Sequence, residues 1–443
     1  MRKQWFAIGV FLAAISLIWW QAAGDFVVSN SEDFFRVRAS LIQLTGLLAL
    51  SMMSIAMLLV MRFAWVERMT NGLDKSYHLH KWLGISAVVT ATLHWLLVKS
   101  PRYLIDWGVI AAPNHGHSGW NVPGEPLQAW VAALRPEALL AGEWSFYALI
   151  VLSVIALVSA IGYKPFKITH KLMALCFIAV AFHSILLIKR TYWSQPITYV
   201  VIALAIIGTL AALYSLFGRI GQRHTYLANV VDVDYHSINK TTRLTVKVTD
   251  WPGHRSGQYA YLKCAHEQPH PFTITSYDEH NQQLEFLIKE LGDFTCELKT
   301  RVQCGDTLQV EGPYGRFEFD DEKPSVWIAG GVGIAAFKAI LAERAKKPCE
   351  QNVRLYYCTL SPDPELIDEL NTLANRANII LHVIDNRSEP KLNIERLTQE
   401  VPDLLQRSIW FCGPSGFANA LKTWLTKRGF PSQRFHCEYF EMR

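Results

Sequence analysis

The sequence predicts a membrane protein of mixed class: a six-helix transmembrane bundle, then an antiparallel β-barrel, then an α/β domain on a parallel sheet. Three observations predict it. Of the 443 residues 51% are hydrophobic, and the excess is concentrated before residue 223, too uneven for a single soluble globule. Residues 223–322 break into short alternating stretches ("RLTVKVTD", "QYAYLKC", "FTITSY", "LEFLIKE") punctuated by Gly, Pro and Asp, the spacing of a small antiparallel barrel. From residue 325 the pattern switches to strand, glycine turn and helix ("SVWIAGGVGIAAFKAILAERA"), the sign of a parallel α/β domain. The expected domains are 1–222, 223–322 and 323–443.

In the first domain, apolar segments at about 5–23, 39–61, 78–98, 144–163, 170–188 and 196–217 are each long enough for the roughly 20 helical residues that a hydrocarbon core requires. Arg2 and Lys3 before the first run also fit a signal peptide, but the run is long and its end, "IWWQAAGDF", is bulky and aromatic, which favours a retained helix. Arg2, Lys3, Arg62, Arg68, Lys75, Lys81, Lys164, Lys167, Lys171, Arg219 and Arg223 all fall on one side. By the positive-inside rule that side is cytoplasmic, so the N-terminus and residues 223–443 are expected in the cytoplasm and the spans in the inner membrane. The opposite side receives Asp25, Glu32, Asp33, the long 99–143 loop, and Lys189 with Arg190.

A net charge of +5, scattered along the chain, with no nucleic-acid motif excludes a DNA- or RNA-binding class. The eight cysteines are irregularly spaced and support neither a disulfide framework nor a zinc or iron–sulfur site, which points to free thiols in a reducing compartment.

Histidine inside a span is costly unless partnered, and four stand out: His80 and His94 in the third span, His170 and His183 in the fifth. Separations of 14 and 13 positions, at about 1.5 Å rise per residue, set the members of each helix roughly 20 Å apart. His80 then faces His170 near the inner surface and His94 faces His183 near the outer one. Two lone imidazoles in trans are the ligand set of a b-type haem, whereas zinc takes four ligands, so two haems are expected. The 13-residue spacing on the fifth span turns the second ring away from the first, so that helix is expected to bulge or over-wind. His78 competes with His80 but matches His94 less well in spacing and depth. His115 and His117 are expected to face water, and Phe177, between the two fifth-span histidines, to pack.

In the last domain Gly330, Gly331 and Gly333 end a strand and open a helix, where a tight turn lets backbone amides hold a pyrophosphate.

The segments "HPFTITS" (270–276), "LGDFT" (291–295), "EGPYG" (311–315), "IAGGVGIAAF" (328–337) and "FCGPSG" (411–416), in this order, with an aromatic C-terminal tail, resemble the ferredoxin–NADP reductase module. Preceded by six spans with two His pairs, the chain resembles the NADPH oxidase and ferric reductase family over nearly all of its length after the first helix. The resemblance implies FAD on the strand of His270, Pro271, Phe272 and Thr273, with Thr273 near the reactive edge of the ring and Ser276 further along. It implies that Lys289, Gly292, Asp293, Phe294 and Thr295 hold the flavin pyrophosphate through amides, a basic group and a hydroxyl. It implies the nicotinamide nucleotide at Gly330, Gly331 and Gly333, with Cys412, Gly413 and Pro414 beside the nicotinamide. It also implies an aromatic of the tail over the flavin, expected to be Phe440 with Tyr439 behind it.

Two departures stand out. Ala335 and Ala336 replace the usual Thr-Pro after the glycine turn. After the second strand the chain reads "YYCTLSP", where Thr359 and Ser361 can donate to a 2′-phosphate but no guanidinium follows, which leaves NADH and NADPH both open.

The expected activity is an oxidoreductase relay from NAD(P)H through FAD and the inner haem (His80, His170) to the outer haem (His94, His183) and an outside acceptor. Molecular oxygen giving superoxide is the expected acceptor, a ferric chelate the alternative, and a haem redox sensor or docking subunit without turnover the reading from a different class. No EF-hand, SH3-binding run or inserted loop is present in 223–443, so activity without an obligatory protein partner is expected.

Overall fold

The computed structural model describes residues 2–29, 33–111, 126–158, 162–264, 267–317, 319, 324–348, 350 and 352–438. The chain divides into two compact units, Met1–Ile220 and Gly221–Arg443.

The first unit is helical: α1 (Arg2–Ser29), α2 (Phe34–Leu59), α3 (Ala64–Thr70), α4 (Leu73–Asp106), α5 (Pro126–Ala133), α6 (Arg135–Leu157), α7 (Tyr163–Lys171), α8 (Met173–Leu186) and α9 (Pro196–Leu216). Among the described residues six helical stretches are long and apolar enough to cross a membrane, α7 and α8 counting as one. The chain is a multi-pass membrane protein. α2 lies against α1, α4, α8 and α9, and its buried face carries small residues, Ser51, Ser54 and Ala56 among them, which let backbones approach closely. Ser54 Oγ donates to its own helix at Leu50 O (2.8 Å) and across to Leu204 O of α9 (3.1 Å).

Helix ends follow local chemistry. Asp33 caps α2, its carboxylate accepting from the Phe35 and Arg36 amides at 3.0 and 3.1 Å. Pro196 occupies the first turn of α9, where a missing N–H costs nothing. At 34 residues, α4 is about 50 Å long, well beyond the roughly 30 Å hydrocarbon core. It outruns the predicted 78–98 span at both ends because Asp74, Lys75, Lys99 and Arg102 are compatible with helix but not with a continuous apolar run. Likewise α6 starts at Arg135, not at 144.

The fifth span breaks between α7 and α8 at Leu172. There the Leu172 N–H donates to Thr169 O and the Leu175 N–H to Leu172 O, both at 3.0 Å. These closures skip one residue fewer than in an α-helix and so wind the chain more tightly. This is the sense of rotation that the 13-residue His spacing demands.

In the second unit, β1 (Thr225–His236), β2 (Thr241–Val248), β3 (Tyr259–Lys263), β4 (His270–Asp278), β5 (Gln283–Lys289) and β6 (Thr307–Tyr314) form a closed barrel in the order β1-β2-β5-β4-β3-β6, antiparallel throughout. Its core includes Leu244, Val246, Ile274, Phe286 and Val310. α10 (Asp293–Arg301) follows β5. Pro271 sits at the start of β4, opposite Tyr261, where a strand tolerates the loss of a donor.

The remaining strands, β7 (Ser325–Gly330), β8 (Val353–Thr359), β9 (Ile380–Asp385), β10 (Ser408–Cys412) and β11 (Phe435–Cys437), make a parallel sheet in the order β11-β10-β7-β8-β9. α11 (Ile334–Arg344) and α12 (Pro364–Ala377) pack on one face through Phe337, Ile340, Leu366 and Leu370. α13 (Ile394–Glu400) and α14 (Ser415–Lys427) pack on the other through Leu397, Ala418, Leu421 and Leu425. The strand order reverses at β7, so the crevice at the carboxyl ends of β7 and β10 is where such a sheet binds its ligand.

Candidate functional site

Within the bundle the four histidines meet in pairs. The His80 and His170 rings lie 5.8 Å apart between centroids and inclined by 75°. The His94 and His183 rings lie 6.2 Å apart and inclined by 81°. Two imidazoles binding one ion in trans have centroids roughly 6 Å apart, given about 2.0–2.1 Å per metal–nitrogen bond. Main-chain carbonyls fix the tautomers, because a carbonyl only accepts. His80 Nδ1–H donates to Ala56 O (2.9 Å), His94 Nδ1–H to Ile42 O (3.0 Å) and His183 Nδ1–H to Ala138 O (2.8 Å). Each Nε2 is thereby left as a bare lone pair, the arrangement seen at metal-ligating histidines. His170 Nδ1 is buried without a partner among the described residues.

Two glycines give these rings room. A Cβ at Gly46 would lie 3.2 Å from His94 Cε1, and one at Gly142 would run into the His183 ring. Phe177 is buried and fills the space left by Gly208 on α9, a packing role. His78 lies against Trp82, centroids 6.4 Å apart, and is not in either pair. The residues fit two metal ions held by paired imidazoles.

In the barrel, His270 stacks on Phe294 with centroids 4.3 Å apart and 6° between planes, and Phe272 lies beside Phe294 at 6.4 Å. His270, Pro271 and Phe272 are half-buried and Thr273 is buried, opposite Tyr259. Ser276 follows a bulge, opposite Glu285. At the start of α10 the Thr295 hydroxyl accepts from the Leu291 and Gly292 amides at 2.9 and 3.0 Å and donates to Gly292 O at 3.0 Å. It therefore holds the turn, and the amides of Asp293, Phe294 and Thr295 are the groups a helix N-terminus offers to an anion. Lys289 Nζ lies 3.9 Å from where a Cβ on Gly331 would stand, beside the glycine turn of the parallel sheet.

That turn and the β10 end are packed backbone on backbone. Gly331 has φ +58°, a conformation suited to glycine. A Cβ on Gly330 would lie 2.7 Å from Pro414 Cδ, and one on Gly413 3.0 Å from Gly330 Cα. Cys412 is buried; burial first, then the Glu438 carboxylate, pushes its thiol well above the usual range, so it remains a neutral S–H. Ala335 and Ala336 are buried in the core under β7, so their small side chains serve close helix-to-sheet packing.

Residues 45–181 match the family described as ferric reductase like transmembrane component, and residues 229–318 match an FAD-binding domain. This is the NADPH oxidase and ferric reductase architecture. The chain is 32% identical over 197 residues to the anthranilate 1,2-dioxygenase electron transfer component of Acinetobacter baylyi, covering 42% of this chain and 57% of that protein. It is 24% identical over 204 residues to the reductase component of propane 2-monooxygenase from Mycolicibacterium smegmatis, covering 42% and 59%. The chain thus spans less than two thirds of the length of these curated relatives. Among solved structures, Amycolatopsis cytochrome P450 reductase GcoB superposes with a TM-score of 0.43 at 21% identity, covering 49% of this chain and 69% of that one.

Two features of this chain were not legible in its sequence. Arg387, after β9, donates through Nη2 to Ser361 Oγ at 3.0 Å, so a guanidinium does stand at the end of the second strand, contrary to the expectation from "YYCTLSP". Lys338, 2% exposed, pairs with Glu285 at 2.7 Å and Glu369 at 2.9 Å, and Thr275 Oγ1 donates to the same Glu285 carboxylate at 2.8 Å. This network ties the flavin strand β4 to the helix that follows the glycine turn. Burial pushes the Glu285 carboxyl up, but the Lys338 ammonium and the bonds from Lys338 and Thr275 outweigh it and hold the group below the usual carboxylate range. Phe440, Tyr439, His115 and His117 lie outside the described residues.

Proposed function

We propose that this chain is an NAD(P)H-dependent flavocytochrome that carries electrons across the membrane through FAD and two b-type haems. The observation that carries this reading is the two facing imidazole pairs, with ring centroids 5.8 and 6.2 Å apart, and with three of the four Nδ1–H groups bonded to carbonyls. When bound, the flavin takes a hydride as two electrons and releases them singly, and haem iron carries single electrons onward.

The chain's own residues bind, orient and insulate. Residues 1–222 hold the haems, His80 with His170 on the inner side and His94 with His183 on the outer. Residues 223–322 hold FAD, with β4 from His270 to Ser276 along its ring, Thr273 at the reactive edge, and the amides at Gly292–Thr295 on its pyrophosphate. Residues 323–443 hold the nucleotide: Gly330, Gly331 and Gly333 take its pyrophosphate, assisted by Lys289, and Cys412, Gly413 and Pro414 border the nicotinamide. The neutral Cys412 thiol keeps negative charge away from a ring that gives up a hydride. The distribution of Lys and Arg supports an inner-membrane protein with its N-terminus and residues 223–443 in the cytoplasm.

The acceptor outside is molecular oxygen: each NAD(P)H gives two electrons, reduces two molecules of oxygen to superoxide and leaves NAD(P)+ and a proton. A ferric chelate is the second reading, favoured by the family description that residues 45–181 match. The test uses the purified, FAD-supplemented chain. Two haem b per chain by pyridine haemochrome, with NAD(P)H-dependent oxygen uptake that yields superoxide, is the expected result. Fast anaerobic Fe(II) formation with slow oxygen uptake would favour the chelate, and absence of haem would overturn the relay.

A further inference from the structure

We propose that Arg387 receives the 2′-phosphate of the nicotinamide nucleotide, so that the chain selects NADPH over NADH; this rests on the reductase reading above. In a doubly wound sheet the pyrophosphate lies at the glycine turn after the first strand and the adenosine ribose at the carboxyl end of the second. Here those strands are β7 and β8. Sites for NADH carry an acid there that binds the 2′-hydroxyl and repels a phosphate. β8 instead ends in Thr359, followed by Leu360 and Ser361. The next carboxylate, Asp363, is buried and already engaged: it caps α12 through the Glu365 amide at 3.1 Å and faces His236 at 3.3 Å.

The cation comes from the neighbouring strand. β9 runs parallel to β8 with Asp385 opposite Thr359, so a residue two positions beyond Asp385 emerges beside Ser361. Three backbone-anchored bonds shape the turn: Asn386 N–H to Thr359 O (2.8 Å), Arg387 N–H to Asp385 Oδ1 (3.0 Å) and Glu389 N–H to Asp385 O (2.8 Å). The Asp385 carboxylate is thereby turned to the Arg387 amide. The Arg387 guanidinium donates to Ser361 Oγ at 3.0 Å and forms no ion pair among the described residues. A guanidinium presents its donors as a fixed planar fork. With one donor on a hydroxyl and none on a carboxylate, the rest of the fork is available to a phosphate dianion, which it grips at two oxygens. The Ser361 hydroxyl, accepting from Arg387, has its own proton for a third contact.

The test is calorimetric titration of the full-length, FAD-supplemented protein in detergent with NADP+, NAD+ and adenosine 2′,5′-bisphosphate. Wild type is expected to bind NADP+ at least about 10-fold more tightly than NAD+, the range of one charge-assisted contact. Arg387→Ala is expected to remove that difference by weakening NADP+ and the bisphosphate alone, and Arg387→Lys to restore part of it. Unchanged NAD+ affinity in the variants reports an intact fold. Equal wild-type affinities, or an Arg387→Ala loss shared by both nucleotides, would overturn the proposal and leave the reductase reading standing. Failure to bind either nucleotide would overturn both.

Discussion

Replacing Lys338 by Met removes a buried ammonium while keeping most of its volume. The wild-type ammonium is 2% exposed and lies 2.7 Å from Glu285 and 2.9 Å from Glu369. Breaking a buried ion pair from one side costs about 3–5 kcal/mol, because the stranded charge remains. Two compensations bring the expected cost to the lower end, about 3 kcal/mol: Glu369 keeps Arg243 at 3.2 Å and Glu285 keeps the Thr275 hydroxyl at 2.8 Å. The pH dependence has a definite sign. The folded pKa of wild-type Glu285 is depressed, so its contribution is present above the unfolded carboxylate range and is lost as pH falls through the folded value. Without Lys338, burial acts on Glu285 with less opposition and its pKa rises, so the deficit of the variant is largest near neutrality and shrinks toward acid pH. Chemical denaturation of the full-length protein in detergent, followed by tryptophan fluorescence between pH 4 and 8, measures both effects. Adding Glu285→Gln to Lys338→Met is expected to recover about half of the loss. A Lys338→Met variant within 1 kcal/mol of wild type, or a deficit that grows toward acid pH, would refute the reasoning.

Other outcomes follow from the same geometry. His94→Leu is expected to halve the haem content and the reduced absorption band, with flavin reduction by NAD(P)H intact; an unchanged haem count would remove His94 from the ligand set. His254 lies outside the membrane spans, its Nδ1 accepting from Trp251 Nε1 at 3.2 Å, and burial lowers its pKa to about 4. It must therefore gain a proton on unfolding below about pH 6.5, and stability falls as pH drops from there toward 4, by on the order of 3 kcal/mol at about 1.4 kcal/mol per pKa unit. His254→Phe is expected to flatten that part of the profile while lowering stability at neutral pH by about 1 kcal/mol through the unpaired indole N–H; an unchanged slope in the denaturation series would count against it. Thr295→Val deprives the Leu291 and Gly292 amides of their acceptor and is expected to weaken FAD binding by about 10-fold, read by flavin fluorescence on dilution.

How far the sequence reached depends on whether the signal is local. Apolar runs locate the spans, since a hydrocarbon core requires them wherever the helices go, yet the extents of α4 and α6 were missed because their charged ends carry no apolarity signal. The histidine pairs were legible because helical rise converts spacing into depth. The carbonyls that orient the rings were not, because Ala56 and Ile42 on α2 and Ala138 on α6 offer backbone oxygens that no side chain marks. Lys289 precedes "LGDFT" in the chain, and that its Nζ also lies 3.9 Å from where a Cβ on Gly331 would stand is a proximity no local pattern marks.

The sequence by itself determined the membrane half, the barrel-then-parallel-sheet order, the strand bearing "HPFT" and the glycine turn, each a pattern within a few neighbouring residues that backbone geometry and burial impose directly. Only the tertiary structure decided that Arg387 meets Ser361 across 26 positions and Lys338 meets Glu285 across 53. Such contacts depend on which strands become neighbours, and parallel pairing and domain packing bring together residues whose own surroundings in the chain say nothing of each other.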